Sequence, residues 1–173
     1  GCYVIIKIFS LYMFFGVMLL SVTFANSFYR GKSAFTKVLG ILCLTLLIYL
    51  MGYLLEVNSK SMDDILFWNQ VQYFGIPFFP ALWLLMSMLY TGRVKKIREG
   101  LVLVFIIPIL TFLLRLTNEY HHLYYRQMEL KEFESVSLLL LTKGPWYYVQ
   151  MIYTLVCLIL CTGYYYQSFA KKR

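Results

Sequence analysis

Charged residues are scarce in this chain. Asp, Glu, Lys and Arg make up 14% of its 173 positions, and only eight are acids. A soluble domain carries about 25%, so this sequence lacks the charge to clothe the surface of a water-soluble globule. Metal ligands are equally thin, with two histidines and four cysteines. Cys43, Cys157 and Cys161 fall inside apolar runs, where a thiol behaves as a small buried hydrophobe. Cys157 and Cys161 share a helix face, yet no His or acid lies near them, and a closed zinc site needs four ligands. Gly1-Cys2 has no apolar stretch before it, as a lipobox would require. The absent initiator Met points to a fragment of a longer protein. There is no nucleophile elbow, glycine-rich phosphate loop, HExxH motif or paired acids at membrane depth. No metal, no cofactor and no catalytic residue is therefore expected, and the chain is not read as an enzyme.

What the chain has is apolar length. Residues of hydrophobic type make up 61% and aromatics 19%. Five apolar segments emerge, at about 8–28, 38–57, 66–90, 101–117 and 145–169. Each approaches the ~20 residues that a helix needs to cross about 30 Å of hydrocarbon. In that medium every backbone amide must bond within its own segment, so the segments are helices. The expected fold is an all-α polytopic membrane bundle of five transmembrane helices forming one domain over 1–173. The first segment has a signal-peptide alternative, with Thr23-Phe24-Ala25 as the cleavage site. Its length and the basic residues after it favour a retained span.

The formal net charge of +8 does not point to nucleic acid, because the basic residues come in short clusters between apolar runs. Arg30, Lys32 and Lys37, then Arg93, Lys95, Lys96 and Arg98, then Lys171, Lys172 and Arg173 hold ten of the sixteen. Alternating spans put all three clusters on one side. The other side receives Glu56, Asp63, Asp64, Glu119, Glu129, Glu132 and Glu134. The positive-inside rule then places the N-terminus outside and the C-terminus in the cytoplasm. Trp68 and Tyr73 at the outer end of the third segment, Tyr90 at its inner end, Pro145-Trp146-Tyr147-Tyr148 and Tyr164-Tyr165-Tyr166 fit as interfacial anchors. The connection 118–144 is long for a plain loop, and its strand-like residues predict a short extracellular hairpin or lid.

The third segment is the most heavily punctuated. Gly75, Pro77 and Pro80 fall in its middle, and each proline leaves a carbonyl four residues earlier without its helical partner. The result is a static kink or a hinge. Asn69, Gln72, Ile76 and Trp83 share approximately one face, which either packs on other helices or lines a pocket open to the outside. Glu56 closes the second segment and Arg115 lies near the outer end of the fourth. Ionisable groups at membrane depth are costly unless paired, so these two either snorkel or pair, with each other or with a ligand. His121 and His122 are adjacent and cannot easily hold one metal. They read as interfacial histidines, with pH or metal sensing as the alternative. Candidate pocket residues are Glu56, Trp68, Asn69, Gln72, Tyr73, Trp83, Arg115, Asn118 and His121.

Several of these residues, in order, carry a resemblance. Glu56, Trp68, Gln72-Tyr73-Phe74-Gly75, Pro80-Ala81-Leu82-Trp83 and Leu89-Tyr90-Thr91-Gly92-Arg93 resemble the N-terminal seven-helix input region of bacterial sensor histidine kinases. Ile107-Pro108, Thr117-Asn118 with His121, and Gly144-Pro145-Trp146-Tyr147 continue the match over nearly the whole chain. The chain departs from that pattern by stopping after the fifth helix. The resemblance implies a multi-pass region of the bacterial plasma membrane, with the lipid bilayer as its surroundings. It also implies a homodimer that relays an extracellular or membrane stimulus, such as a small molecule, to an output domain absent here. That output would be a histidine kinase or diguanylate cyclase of the parent protein. A transporter or channel fragment is the main alternative, and a structural membrane subunit the next. The transporter or channel reading is weakened by the lack of deep charged residues lining a path and by the absence of an internal repeat.

Overall fold

The computed structural model describes residues 1–133 and 136–173, apart from the side chains of Cys2, Glu99, Val102 and Leu103 and the surroundings of Gly100. Glu134 and Ser135, one an expected outer acid and the other the start of the expected leucine strand, lie outside the described residues, as does the side chain of Glu99.

The elements run α1 (Cys2–Arg30), α2 (Ala34–Val57), α3 (Met62–Gln72), α4 (Phe78–Tyr90), α5 (Ile97–Leu116), α6 (Asn118–His121), β1 (Tyr125–Phe133), β2 (Val136–Lys143) and α7 (Pro145–Lys171). Among the described residues, three helices are long and apolar enough to cross a membrane: Tyr3–Arg30, Ala34–Val57 and Pro145–Lys171. Phe78–Tyr90 and Val104–Leu116 are shorter apolar helices. The fold is that of a mainly helical bundle with one β-hairpin.

Local chemistry explains the boundaries. Ser33 caps α2 by accepting the Thr36 N–H at 3.1 Å, and Ser61 caps α3 by accepting that of Asp64 at 3.2 Å. Asp63 and Asp64 occupy the first turn of α3, where the helix dipole favours negative charge. Pro145 begins α7 at a first-turn position where its missing N–H costs nothing. The hairpin is antiparallel, with Phe133 opposite Val136, Leu130 opposite Leu139 and an irregularity between Tyr125 and Gln127.

One sequence expectation needs correction. The stretch 66–90 is not a single kinked helix: α3 ends at Gln72, turns occupy 73–77, and α4 begins at Phe78. Pro77 lacks an N–H to continue the helical ladder. Gly75 meanwhile lies so close to α2 that a Cβ added there would stand 2.2 Å from the Thr45 carbonyl oxygen. The break is thus pressed against α2 through a position that has no room for a side chain.

Helix α4 is the centre of the bundle. One of its faces packs Leu82, Leu85 and Met86 on Val38 and Leu42 of α2. Another packs Ala81 and Leu84 on Val104 of α5 and on Cys157 and Cys161 of α7. The antiparallel course of the helices gathers the basic clusters at one end. There Phe35, beside the first cluster, lies 5.8 Å from Tyr90, and Arg93 lies over the Tyr164 ring near the tail. Ser10 and Asn58 meet at 2.9 Å at the opposite end.

Candidate functional site

The break between α3 and α4 brings together polar residues that are dispersed in the sequence. Glu56 sits in the last turn of α2, and both of its carboxylate oxygens receive amide donors from α3. Asn69 Nδ2 donates to Oε1 at 3.3 Å and Gln72 Nε2 donates to Oε2 at 2.9 Å. Gly52 makes this possible, because a Cβ there would stand 2.6 Å from Gln72 Cγ. The other end of the Asn69 amide accepts from Arg115 Nη2 of α5 at 2.8 Å. Asn69 is therefore a polarity-matched bridge, donating to the acid and accepting from the base. Glu56, Asn69, Gln72 and Arg115 are all buried. Burial removes the snorkelling reading of Glu56 and Arg115, and the two charges communicate through an amide instead of touching.

Aromatic rings complete the surroundings of Arg115. Its guanidinium carbon lies 5.5 Å from the centre of the Tyr73 ring and 5.4 Å from that of Tyr125, within the range of cation–π attraction. The Tyr73 and Tyr125 hydroxyls bond to each other, and Tyr124 packs edge-on against Tyr73 at 5.1 Å. Among the described residues, Arg115 Nε is a buried nitrogen with no hydrogen-bond partner.

Asn118 locks the base of the hairpin onto this cluster. Its Oδ1 accepts the Tyr124 and Tyr125 N–H groups at 3.0 and 2.9 Å, and its Nδ2 donates to the Tyr125 carbonyl at 3.0 Å. Gly144 permits the return of the chain, since its N–H donates to the Tyr124 carbonyl at 2.7 Å and a Cβ would meet Leu123 O at 2.3 Å. The hairpin lies outside the helical spans, so ordinary aqueous titration applies to its base. Burial pushes the Tyr125 phenol up to about 12 and the Tyr124 phenol further still.

Beside this network lies a cavity of about 450 Å³. Thr45 and Tyr49 of α2, Tyr73, Gly75 and Ile76 of the break, and Tyr147, Gln150 and Thr154 of α7 are among its lining residues. A second relay joins the break to α5 and α7. The Trp146 indole N–H donates to Thr111 Oγ1 at 2.8 Å, and Thr111 donates onward to Gln150 Oε1 at 2.6 Å. Gln150 Nε2 reaches the carbonyl of Pro77, the N-cap residue of α4, at 3.4 Å.

The expected site residues divide accordingly. Glu56, Asn69, Gln72, Tyr73, Arg115 and Asn118 come together, and of these only Tyr73 also lines the cavity. Gly75 forms part of the cavity wall, Pro77 supplies the bonded carbonyl, and Pro80 is buried in α4. Trp68 contributes only its carbonyl, which accepts from Gln72 at 3.2 Å. Trp83 lies on α4, beyond the break from Asn69 and Gln72, and packs against Phe79 at 5.5 Å. His121 is a local structural residue: its Nδ1 accepts the Leu123 N–H at 3.0 Å and its Nε2 faces Thr117 Oγ1 at 2.9 Å. Sequence reasoning missed Tyr124, Tyr125, Thr111, Gln150 and Thr45 as contributors. For Thr111 and Gln150 a signal existed, since each is a polar residue within an apolar run.

Residues 8–173 match a family described as the N-terminal 7TM region of histidine kinase. The chain belongs to that family. Histidine kinase 7TM regions are non-catalytic sensory input regions that sit in the bilayer and link to a kinase, so this chain is a membrane segment of signal transduction. The match covers almost all of the chain, from within α1 to its last residue. Comparison with curated proteins and with solved structures returned no match.

Proposed function

We propose that this histidine kinase 7TM region senses a small molecule at the α3–α4 break and passes the signal along α4 and α7. The observation that carries the reading is the adjacency of the 450 Å³ cavity to the buried Glu56–Asn69–Arg115 chain, with Tyr73 belonging to both. An occupant pressing on Tyr73 or Gln150 acts on the break itself, because Tyr73 caps α3 and Gln150 holds the Pro77 carbonyl. A ligand shifts such an equilibrium only by binding the two arrangements unequally. The tyrosine-lined wall, with apolar groups predominating, suits an uncharged molecule with an aromatic or aliphatic body and one or two polar groups.

In this proposal the five apolar segments all cross the bilayer. The α3–break–α4 unit provides the third crossing, since its helices of 11 and 13 residues rise roughly 36 Å in total. The acidic end with its hairpin faces outward, and the basic end faces the cytoplasm and the kinase of the parent protein, which works as a dimer. The test uses Thr154→Trp, which places a bulky side chain in the cavity and imitates an occupant. Spin labels at the exposed positions Tyr90 and Tyr166 report the spacing of the α4 and α7 ends in lipid nanodiscs. We expect the filled cavity to shift the distance distribution. An unchanged distribution, with the variant folded, would defeat the relay.

A further inference from the structure

At the basic end of the bundle the seam between α4 and α7 opens into a second cavity, of about 340 Å³. Thr91, Gly92 and Arg93 form one wall, and Tyr164, Gln167, Ser168 and Lys171 of α7, with its C-cap residue Lys172, form the other. Gly92 adopts a left-handed conformation with φ of +74°, which a side chain would resist. This turn carries the chain off α4, and the Arg93 N–H closes it by donating to the Met88 carbonyl at 2.9 Å. Arg93 is thereby directed across the seam. Its guanidinium lies 4.0 Å above the Tyr164 ring and donates to Gln167 Oε1.

Stacking and one hydrogen bond orient the guanidinium, which has five donors in all, and among the described residues these are its side-chain contacts. Lys171 and Lys172 bring two further ammonium groups to the same cavity. No carboxylate lines it, and among the described residues no carboxylate is paired with any of the three cations. Thr91 and Ser168 add hydroxyls, although the Thr91 hydroxyl already donates to the Ser87 carbonyl at 2.8 Å. A planar fork fixed by an aromatic ring, two mobile ammonium groups and a hydroxyl are the complement of a tetrahedral phosphate oxyanion.

The surroundings identify the source of that phosphate. Exposed Tyr90, Tyr166 and Phe169 flank the site, and apolar α4 and α7 run away from it into the bundle. We propose that this cavity binds the phosphodiester headgroup of an anionic phospholipid, with the acyl chains lying along the exposed apolar face of α7. Free inorganic phosphate offers the same oxyanion without the chains, and the experiment separates the two.

The full chain is purified and reconstituted in nanodiscs of phosphatidylcholine containing a minor share of phosphatidylglycerol. Lipids retained on the protein are then counted by native mass spectrometry. Wild type should retain phosphatidylglycerol in clear preference to phosphatidylcholine. Each basic residue near an anionic headgroup contributes about fivefold in affinity, so Arg93→Gln with Lys171→Gln and Lys172→Gln should abolish the preference. Arg93→Lys keeps the charge and loses the stacked fork, and should weaken the preference severalfold. Arg30→Gln with Lys32→Gln removes charge from the same end but outside the cavity, and should leave the preference intact.

Equal loss in the Arg30/Lys32 variant would mean diffuse attraction and would overturn the site. A wild type without headgroup preference would overturn it as well. If inorganic phosphate displaces retained phosphatidylglycerol and stabilises the detergent-solubilised protein as strongly, the occupant is soluble phosphate and the lipid assignment fails.

Discussion

Asn69→Leu is the perturbation that tests the buried network most directly. The Asn69 amide is the joint between the Glu56 carboxylate, at 3.3 Å, and the Arg115 guanidinium, at 2.8 Å. Leucine branches at the same carbon and carries methyl groups in place of both polar atoms, so the side-chain shape is largely kept while both bonds vanish. Arg115 is 4% exposed, its Nε already lacks a partner, and the bond to Asn69 is its one side-chain hydrogen bond among the described residues. A hydrogen bond to a charged group contributes about 1.5–3 kcal/mol, and stranding a buried charge costs more than the bond alone. The longer Glu56 contact adds about 1 kcal/mol. Together these predict a loss of about 3–5 kcal/mol, which for a chain of this size corresponds to a fall in Tm of roughly 10 °C. Thermal unfolding in mild detergent measures it. The double variant Asn69→Leu with Arg115→Leu removes the stranded charge and should recover much of the loss, because deleting both partners costs less than deleting one. A shift under 2–3 °C for Asn69→Leu, or additive losses in the double variant, would refute the bridge.

Glycine positions give a paired test: Gly75→Ala should cost more than about 3 kcal/mol, because its Cβ would stand 2.2 Å from Thr45 O and neither backbone can yield cheaply. Gly163→Ala, in α7 with nothing within 4 Å, should raise stability by up to about 1 kcal/mol; Tm in the same detergent reads both. Asn118→Ala leaves the Tyr124 and Tyr125 N–H groups buried without an acceptor, at a cost of about 2–4 kcal/mol. Hydrogen exchange should show these two amides losing protection before those of α2. The Tyr125 phenol is raised from 10 to about 12, so the folded state holds its proton more tightly than the unfolded one. The stability this provides is complete below pH 10 and is lost as the pH rises through 12. Alkaline unfolding with phenolate absorbance should place the transition there, and Tyr125→Phe should flatten the slope. Pro77→Ala with Pro80→Ala should extend the helical ladder across the break and change the response of the parent kinase without preventing membrane insertion; an unaltered response would defeat the hinge reading.

Much of the helical layout was legible in the sequence because hydrocarbon imposes a simple rule, about 20 apolar residues per crossing with helical bonding throughout. The hairpin was legible from the length of the 118–144 connection. The break was only half legible. Pro77 announces a lost hydrogen bond, but the requirement at Gly75 comes from Thr45 of α2, thirty residues earlier, and no local pattern reveals it. The candidate site follows the same division. Glu56, Asn69, Gln72 and Arg115 stand out as polar residues near apolar runs, where each must find a partner. Which partner it finds depends on the rotation of α3 against α2 and α5. The identification of Asn69 as the bridge, in place of a direct Glu56–Arg115 contact, therefore had to wait for the structure. The face that joins Asn69, Gln72 and Trp83 assumes a 3.6-residue period across 73–77, where the structure has turns between α3 and α4.

The arrangement of small residues bears on how the proposed relay would move. Below the break, α4 meets α7 at Ala81, Cys157 and Cys161, all buried and all short, in a cluster that also takes Leu84 and has Tyr153 and Tyr164 packed on it. Close approach of this kind is how helices associate in lipid, where no hydrophobic drive distinguishes a neighbouring helix from an acyl chain. On the other side Leu82, Leu85 and Met86 interlock with Val38 and Leu42 of α2. In the proposed relay, a displacement started at the break would travel along the α4–α7 contact. It ends where Arg93 lies on Tyr164 and bonds Gln167. Replacing Ala81 with Leu puts a bulky side chain into that contact. In the nanodisc spacing measurement it should suppress the shift that Thr154→Trp produces, whereas persistence of that shift would place the moving seam elsewhere.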